Sequence, residues 1–182
     1  MDLAAGNHLT LSTLKSTVHL GSHLDAPSHY DQDGMTVDQV DLSLCLGRCQ
    51  VIETKAEPGT EIGREELLSE PQCSRILLRT GSHPDPDHWG GDFCGISPVL
   101  IDEFSQMGVR LLGVDTPSVD LSDSKDLQAH DACRRGAIWI MEGLVLTDAE
   151  PGFYELIALP LRLEGFDASP VRAVLRPLGD DS

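Results

Sequence analysis

Short apolar runs alternate with stretches of helical periodicity along most of this chain. The apolar runs predict strands over residues 49–53, 75–80, 109–115, 137–141, 154–161 and 171–175. The second and third runs are dense in Ile, Leu and Val, which is typical of strands that are covered on both faces. Strands of that kind form the interior of a sheet that carries helices.

Helices are predicted between several of these strands, over residues 63–69, 97–107 and 124–135. Pro98 suits the first turn of the second helix, and Gly108 suits its C-terminal stop. Asp123 is a candidate N-cap for the third helix, which Gly136 ends. Strands that alternate with helices predict one α/β or α+β domain, and no break in the sequence is polar enough to divide it.

Histidines concentrate at alternate positions of the segment 17–29. The odd positions carry three imidazoles and a carboxylate, from His19, His23, Asp25 and His29. The even positions are mostly apolar, so a strand here would present all four polar groups on one face. At about 3.3 Å per residue, an ideal strand separates the Cα atoms of His19 and His23 by about 13 Å. Joint binding of one ion by both therefore requires a bend, which Gly21 permits.

Imidazoles and a carboxylate that converge at short spacing suit a divalent, zinc-like ion. The alternative is that these are exposed or core-edge histidines with no ligand. Three further residues are candidates to complete a metal site, namely His130 within the third helix, and Asp115 and Glu142 after apolar strands. Each could equally have a structural role, because spacing alone does not separate the two interpretations.

The composition restricts the partners and the compartment. The chain has 182 residues, with 13 Lys and Arg against 30 Asp and Glu, which gives a net charge of −17. Nucleic acids and anionic lipid surfaces would be repelled by that charge. We expect a cytoplasmic protein that does not bind membranes, because neither a membrane-spanning run nor a signal peptide is evident. The five cysteines are expected to be reduced thiols.

The run His19-Leu20-Gly21-Ser22-His23-Leu24-Asp25-Ala26-Pro27-Ser28-His29 resembles the His-x-Gly-Thr-His-x-Asp-x-Pro-x-His motif of the cyclase family of metal-dependent hydrolases. That family includes bacterial kynurenine formamidase (arylformamidase) and isatin hydrolase, and the resemblance is closer to the former. Further matching segments are 113–120, 124–125, 129–130, 142–146, 154–161 and 167–173. The resemblance covers the chain from about Thr10 onward, although the family's usual N-terminal segment is missing.

The resemblance implies a fold, a metal site and an assembly. The fold would be a single swivelling β/β/α domain over 1–182, with mixed sheets and flanking helices, in a homodimer or higher homo-oligomer. The site would hold two divalent ions, usually Zn²⁺, with Mn²⁺ as the alternative. The implied ligands of the first ion are His19, His23 and Asp25, and Asp25 would bridge to a second ion held by His130 and Glu142. His29 would be the catalytic acid/base.

The implied reaction is hydrolysis of N-formyl-L-kynurenine to L-kynurenine and formate, by metal-bound hydroxide that attacks the formyl carbon. The alternatives are hydrolysis of another amide, lactam or ester, as in isatin hydrolase, and a non-catalytic metal-binding protein. Three aromatic residues are candidates to stack on the substrate ring, namely Tyr30 beside the motif and Trp89 and Phe93 on the long loop 81–95.

Overall fold

The computed structural model describes residues 1–88 and 91–178. The strands in those ranges are β1 (His23–Asp25), β2 (Leu46–Glu53), β3 (Glu61–Ile62), β4 (Arg75–Arg79), β5 (Gly95–Ile96), β6 (Leu111–Val114), β7 (Trp139–Glu142), β8 (Gly152–Ile157), β9 (Ala168–Pro170) and β10 (Val174–Pro177). Eight of them form one mixed sheet in the order β10-β8-β2-β4-β6-β7-β1-β9, and β3 pairs with β5. This is the mixed α/β architecture that the sequence predicts.

The centre of the large sheet is parallel and both of its edges are antiparallel. Strands β2, β4, β6 and β7 run in one direction, with Leu112 opposite Ile140 in the last pair. Strands β8 and β10 close one edge, and β1 and β9 close the other. The short strand that carries part of the histidine segment therefore lies against the last parallel strand.

Two α-helices, α1 (Pro98–Gln106) and α2 (Gln128–Gly136), pack on one face of this sheet. Neighbouring strand residues alternate between the two apolar layers, as a pleated strand requires. Leu78 and Leu112 belong to the helix-covered layer with Phe104, whereas Leu77 and Leu111 belong to the opposite layer. Of the helices described, none has the length and apolar character needed to cross a bilayer.

The helix predictions differ in outcome. The helix over 97–107 is confirmed as α1, with Pro98 in its first turn. The helix over 63–69 is wrong in extent, because only a single 3₁₀ turn forms, at Arg64–Glu66. The third helix begins later than predicted, at Gln128, because Leu127 has a left-handed backbone with φ 46° that cannot continue a helix.

The extended strand predicted over 17–29 is also wrong in extent. Only His23–Asp25 pairs as a strand, while residues 18–22 bend and Pro27–His29 forms a 3₁₀ turn. The predicted bend at Gly21 is confirmed, since its φ is +63°. Pro27 explains the turn that follows, because its ring fixes φ and it has no N–H for a ladder. The four polar residues therefore meet through two bends and not along one flat strand.

Candidate metal centre

Two strand ends bring the first site residues together at the edge of the parallel region. In the antiparallel register of β1 and β7, His23 lies opposite Glu142 and Asp25 lies opposite Ile140. Leu24, between them, packs in the layer away from the helices. Because strand side chains alternate, His23, Asp25 and Glu142 all face the helix-covered side.

His130 lies on helix α2, which packs on the helix-covered face of the sheet, and Asp120 holds the His130 ring in place. One Asp120 oxygen accepts from the backbone N–H of Ala129 at 2.9 Å, and the other accepts from that of His130 at 3.2 Å. The second oxygen also lies 2.6 Å from His130 Nδ1. Asp120 thus caps the helix, the role the sequence suggested for Asp123, and it fixes the imidazole.

Asp25 lies at the middle of the cluster. Its Oδ1 is 3.1 Å from His19 Nδ1 and 3.3 Å from His23 Nε2, and its Oδ2 is 3.7 Å from His130 Nε2. Glu142 closes the far side, with its two oxygens 3.5 Å from His23 Nε2 and 3.5 Å from His130 Nε2. The structure therefore brings together all five residues that the sequence names as metal ligands.

Four buried polar atoms in this cluster have no hydrogen-bond partner among the described residues. They are His23 Nε2, both carboxylate oxygens of Asp25, and His130 Nε2. The other ring nitrogens are satisfied, because His23 Nδ1 lies 2.8 Å from the Gly21 carbonyl and His130 Nδ1 contacts Asp120. A carbonyl can only accept, so Nδ1 of His23 carries a hydrogen, and in the neutral ring Nε2 presents the lone pair. Leaving buried polar atoms unpaired costs about 1–3 kcal/mol each, and a bound cation would satisfy them, so the arrangement is compatible with a metal site.

The charges in the cluster are strongly coupled. Burial alone would lower the pKa of His23, but the neighbouring carboxylates of Asp25 and Glu142 raise it to about 10. Burial would likewise lower the pKa of His130, but its carboxylate partners Asp120 and Asp25 raise it to about 10. Burial would raise the pKa of Asp25, yet the surrounding imidazoles hold it well below its usual range. Burial and the nearby Asp25 charge raise the pKa of Glu142.

These shifts and contacts suit a divalent cation. Protonated imidazoles balance the carboxylates, and a bound ion would take the place of those protons. The donors are imidazole nitrogen and carboxylate oxygen, a set that serves Zn²⁺ and also Mn²⁺. One donor atom each from His19, His23 and Asp25 lies within 4.8 Å of the others, and the same holds for Asp25, His29 and His130.

His29 and Tyr30 stand at the outer side of the cluster. The His29 ring centre is 4.2 Å from that of His19 and 6.0 Å from that of His130. Tyr30 packs against His130 with ring centres 5.1 Å apart, and its buried hydroxyl has no hydrogen-bond partner among the described residues. His29 is thus placed to exchange a proton with a group bound at the cluster.

Asp167 joins the two outer histidines. Its Oδ2 lies 2.9 Å from His19 Nε2 and 3.2 Å from His29 Nδ1. Partial burial would raise the pKa of Asp167, but the hydrogen bonds from His19 and His29 lower it below its usual value. Asp167 therefore acts as a carboxylate acceptor for both rings.

A cleft of about 400 Å³ opens beside the cluster. We name it the loop cleft, and its lining includes His19, His23, His83, Asp87 and Val145. The loop from residue 81 forms one wall, and the turn after β7 forms another.

The predicted aromatic contacts lie elsewhere or outside the described residues. Neither Tyr30 nor Phe93 lines the loop cleft. Phe93 is buried, with its ring centre 6.1 Å from that of His83, and Trp89 lies outside the described residues. The stacking of these three residues on a substrate stays a prediction. Asp115, the other candidate ligand, accepts hydrogen bonds from the Thr80 N–H and hydroxyl and from the Gly81 N–H, which is a structural role.

Two glycines set the separation between the segments that carry the site. Gly143 has φ +64°, and a Cβ at this position would lie 2.5 Å from the Gly21 carbonyl oxygen. The hydroxyl of Ser22 donates to the Gly143 carbonyl at 2.7 Å. The bend between His19 and His23 therefore rests directly on the backbone that follows Glu142.

The matching segments 113–120 and 167–173 contain Asp120 and Asp167, but the sequence assigns neither residue a role. Asp120 precedes His130 by ten positions across an irregular turn, a spacing with no helical or strand period. Asp167 follows His29 by 138 positions. The available signal was each residue's place in a matching segment, which indicates importance but not a contact.

Comparison with known proteins identifies the family. A family model described as "Putative cyclase" matches residues 4–121, more than half of the chain and including the whole histidine motif. A solved structure described as a potential metal-dependent hydrolase with cyclase activity is similar with a TM-score of 0.80 and 25% identity, over 88% of this chain and 80% of that one. This match extends the similarity well beyond residue 121.

Two other solved structures share the fold. A predicted metal-dependent hydrolase from Bacillus stearothermophilus gives a TM-score of 0.78 and 25% identity, over 92% of this chain and 82% of that one. Isatin hydrolase A from Labrenzia aggregata, bound to benzyl benzoate, gives 0.72 and 23%, over 86% and 72%. The match of the family model to residues 4–121 shows that the chain belongs to the cyclase family.

Proposed function

We propose that this protein is a metal-dependent amidohydrolase that converts N-formyl-L-kynurenine and water to L-kynurenine and formate. The observation that carries the proposal is the convergence of four unpaired buried atoms, from His23, Asp25 and His130, beside the accessible ring of His29. A site that served only stability would have paired those atoms within the protein.

The residues that would hold the ions are His19, His23, Asp25, His130 and Glu142, with Asp25 shared because it contacts three imidazoles. A divalent ion bound there supplies a Lewis acid that polarises a carbonyl group and lowers the pKa of water. The protein's own contribution is orientation. Asp120 and the Gly21 carbonyl hold the two inner imidazoles so that each Nε2 faces Asp25.

His29 would deliver a proton to the leaving nitrogen. In hydrolysis of a formamide, water oxygen bonds to the formyl carbon, the carbon–nitrogen bond breaks, and the aryl nitrogen must gain a proton to leave. One ring nitrogen of His29 lies within 4.8 Å of an Asp25 oxygen and a His130 nitrogen, so this ring can deliver that proton to a substrate held at the cluster. Proton transfer of this kind contributes about 10²–10⁴-fold to a rate.

The loop cleft would take the rest of the substrate. Pro86, Leu144 and Val145 give it apolar surface suited to an aromatic ring, and His83 and Asp87 add polar groups at its edge. A zwitterionic amino acid side arm would meet both the carboxylate and the imidazole there. The strongly acidic protein does not repel such a substrate, because the net charge of the zwitterionic substrate is close to zero.

Isatin, a cyclic aryl amide, is the second candidate substrate. The similarity of fold to isatin hydrolase supports it, and the ring opening is the same addition of water to an aryl amide carbonyl. The two differ in shape, because the lactam is compact whereas the formyl substrate has a long side arm.

The test is a parallel assay of metal-loaded protein with both substrates. We expect chelator-sensitive loss of N-formylkynurenine absorbance, with kcat/KM for isatin at least tenfold lower. Faster turnover of isatin would reassign the substrate and keep the hydrolase. Well-folded, metal-loaded protein that hydrolyses neither compound, nor any other amide or ester, would support the non-catalytic alternative.

A further inference from the structure

One carboxylate oxygen serves two imidazoles at the outer side of the site. Asp167 Oδ2 lies 2.9 Å from His19 Nε2 and 3.2 Å from His29 Nδ1. The remaining nitrogen of His19, Nδ1, points to Asp25 Oδ1 at 3.1 Å. Asp167 thus links a residue that would hold the ion to the residue that would move the proton.

Hydrogen bonds hold the backbone around Asp167 against the chain that follows β1. The Asp167 carbonyl accepts from the Ala26 N–H at 2.9 Å, and the Phe166 carbonyl accepts from the Val37 N–H at 2.9 Å. The Asp38 carboxylate accepts from the Gly165 N–H at 3.0 Å. These three bonds place the carboxylate in a defined position next to the histidine segment, although its side chain is 44% exposed.

The geometry determines which ring nitrogens carry hydrogens. An ionised carboxylate can only accept hydrogen bonds, so His19 Nε2 and His29 Nδ1 must each donate to Asp167. In the neutral ring the lone pair of His19 is then on Nδ1, the nitrogen on the Asp25 side, where a bound cation would receive it. The nitrogen of His29 that remains free for proton exchange is Nε2.

We propose that Asp167 is a positioning residue that sets the tautomer and orientation of His29 for proton transfer, and at the same time orients His19. The proposal rests on the hydrolytic function proposed above only for the role of His29. The hydrogen-bonding part concerns the resting protein and can be tested without any substrate.

The first experiment reads the tautomer directly. Side-chain nitrogen NMR of the zinc-loaded protein at about pH 8, where an ordinary imidazole is neutral, distinguishes a protonated Nδ1 from a protonated Nε2. His29→Ala assigns the signal. We expect hydrogen on Nδ1 of His29 in the wild type and a shift of population toward hydrogen on Nε2 in Asp167→Asn. An unchanged His29 tautomer in that variant would overturn the proposal.

Glu164→Gln is the matched control. Glu164 is an exposed acid three positions away that makes no hydrogen bond or ion pair among the described residues, so its substitution removes the same charge from the same segment. We expect the His29 signals and the activity of this variant to equal those of the wild type. Equal changes in both variants would mean that net charge, and not the contact with Asp167, controls the ring.

The second experiment measures coupling in catalysis. Asp167→Asn should lower kcat about 10–100-fold, the range seen when a carboxylate behind a histidine is removed, with KM changed less than about threefold. In the His29→Ala background the same substitution should change kcat less than about threefold, because its partner is gone. A full additional loss in that background would show that Asp167 acts elsewhere and would contradict the proposal.

Metal analysis completes the design. We expect Asp167→Asn to keep the wild-type number of ions per chain, since Asp167 orients ligands without itself being one. A lower number would overturn the proposal in favour of a direct ligand role, because His19, His29 and Asp167 also have donor atoms within 4.8 Å of one another. If the wild type hydrolyses nothing, the proposed function fails while the NMR result still decides the hydrogen-bonding part.

Discussion

The four histidines of the site divide into an inner and an outer pair with different supports. The side chains of the inner pair, His23 and His130, are each 4% exposed, whereas those of the outer pair, His19 and His29, are 23% and 34% exposed. Each inner ring has its own acceptor behind Nδ1, whereas the outer rings share Asp167. Each buried ring is therefore held by a separate acceptor, whereas the two partly exposed rings share one carboxylate.

This contrast suggests a division of labour. In the proposed function the inner rings would present fixed lone pairs to an ion, a role that burial and an anchored Nδ1 favour. The outer rings lie where solvent can reach them, and in the proposed reaction His29 would change its protonation during each turnover. Substitutions that affect one pair and leave the other intact test this division.

The largest effect is expected from Asp25→Asn, which removes the group that contacts both pairs. Metal content should fall to near zero and hydrolysis should disappear with it, since the variant removes the charge that three imidazoles face. Metal analysis of the purified variant measures this. Asp115→Asn is the control, because that carboxylate is also buried but is satisfied by Thr80 and Gly81. Retention of two ions in Asp25→Asn would contradict the shared role.

His29→Ala should separate the outer pair from the inner one. We expect kcat to fall about 10²–10⁴-fold, the usual contribution of a general acid or base, while the number of bound ions stays at the wild-type value. Steady-state kinetics and metal analysis on the same preparation test both parts. Loss of metal in this variant would place His29 among the ligands.

Asp120→Asn should weaken the inner pair without abolishing it. Removing the carboxylate behind a metal-bound histidine typically lowers metal affinity about 10–100-fold. Competition with a chromophoric chelator measures the change. Asp131→Asn is a control from the next position to His130, since among the described residues the Asp131 carboxylate bonds only to Arg134 and Arg135. Equal losses in both variants would indicate a general effect on α2.

Metal binding should stabilise the fold through the inner pair. At a free zinc concentration about 100 times the dissociation constant, linkage adds about 2.7 kcal/mol to the free energy of unfolding. Thermal unfolding with zinc and with chelator measures the shift. The Asp25→Asn variant should show none, and a shift of equal size there would point to zinc bound at another place.

The smallest effect is expected at the cysteines, which report whether the interior opens when metal is removed. Burial raises the pKa of Cys45 to about 11 and that of Cys49 to about 12, so both stay as unreactive thiols near neutral pH. Cys133 is buried one helical turn from His130, whereas Cys73 is partly exposed. A thiol reagent should label Cys73 alone, with or without metal, and labelling of Cys133 after chelation would show that the inner pair needs the ion to stay closed.

The sequence was most informative where chemistry and local pattern coincide. The odd positions of the histidine segment and the family motif identified four residues of the cluster, and the further matching segments added His130 and Glu142. The alternation of side chains along a strand accounts for only part of this cluster. His23 and Asp25 share a strand face, whereas His19 and His29 reach the cluster through bends. Gly21 and Pro27 were the visible signs of those bends.

Asp120 and Asp167 could not be assigned from the sequence because their roles depend on tertiary contacts. Asp120 reaches the first turn of α2 across an irregular segment that ends at Leu127, whose left-handed conformation residue propensity does not favour. Asp167 reaches His29 only because β9 pairs with β1 at the sheet edge. A pattern of residue types contains no information on which distant segments lie side by side.

The contact between Gly21 and Gly143 has a consequence for the spacing of the site. Because a Cβ at position 143 would lie 2.5 Å from the Gly21 carbonyl oxygen, any other residue there would force apart the chain that carries His23 and the chain that carries Glu142. The relative position of two donor groups is therefore controlled by a residue that has no donor atom of its own to offer.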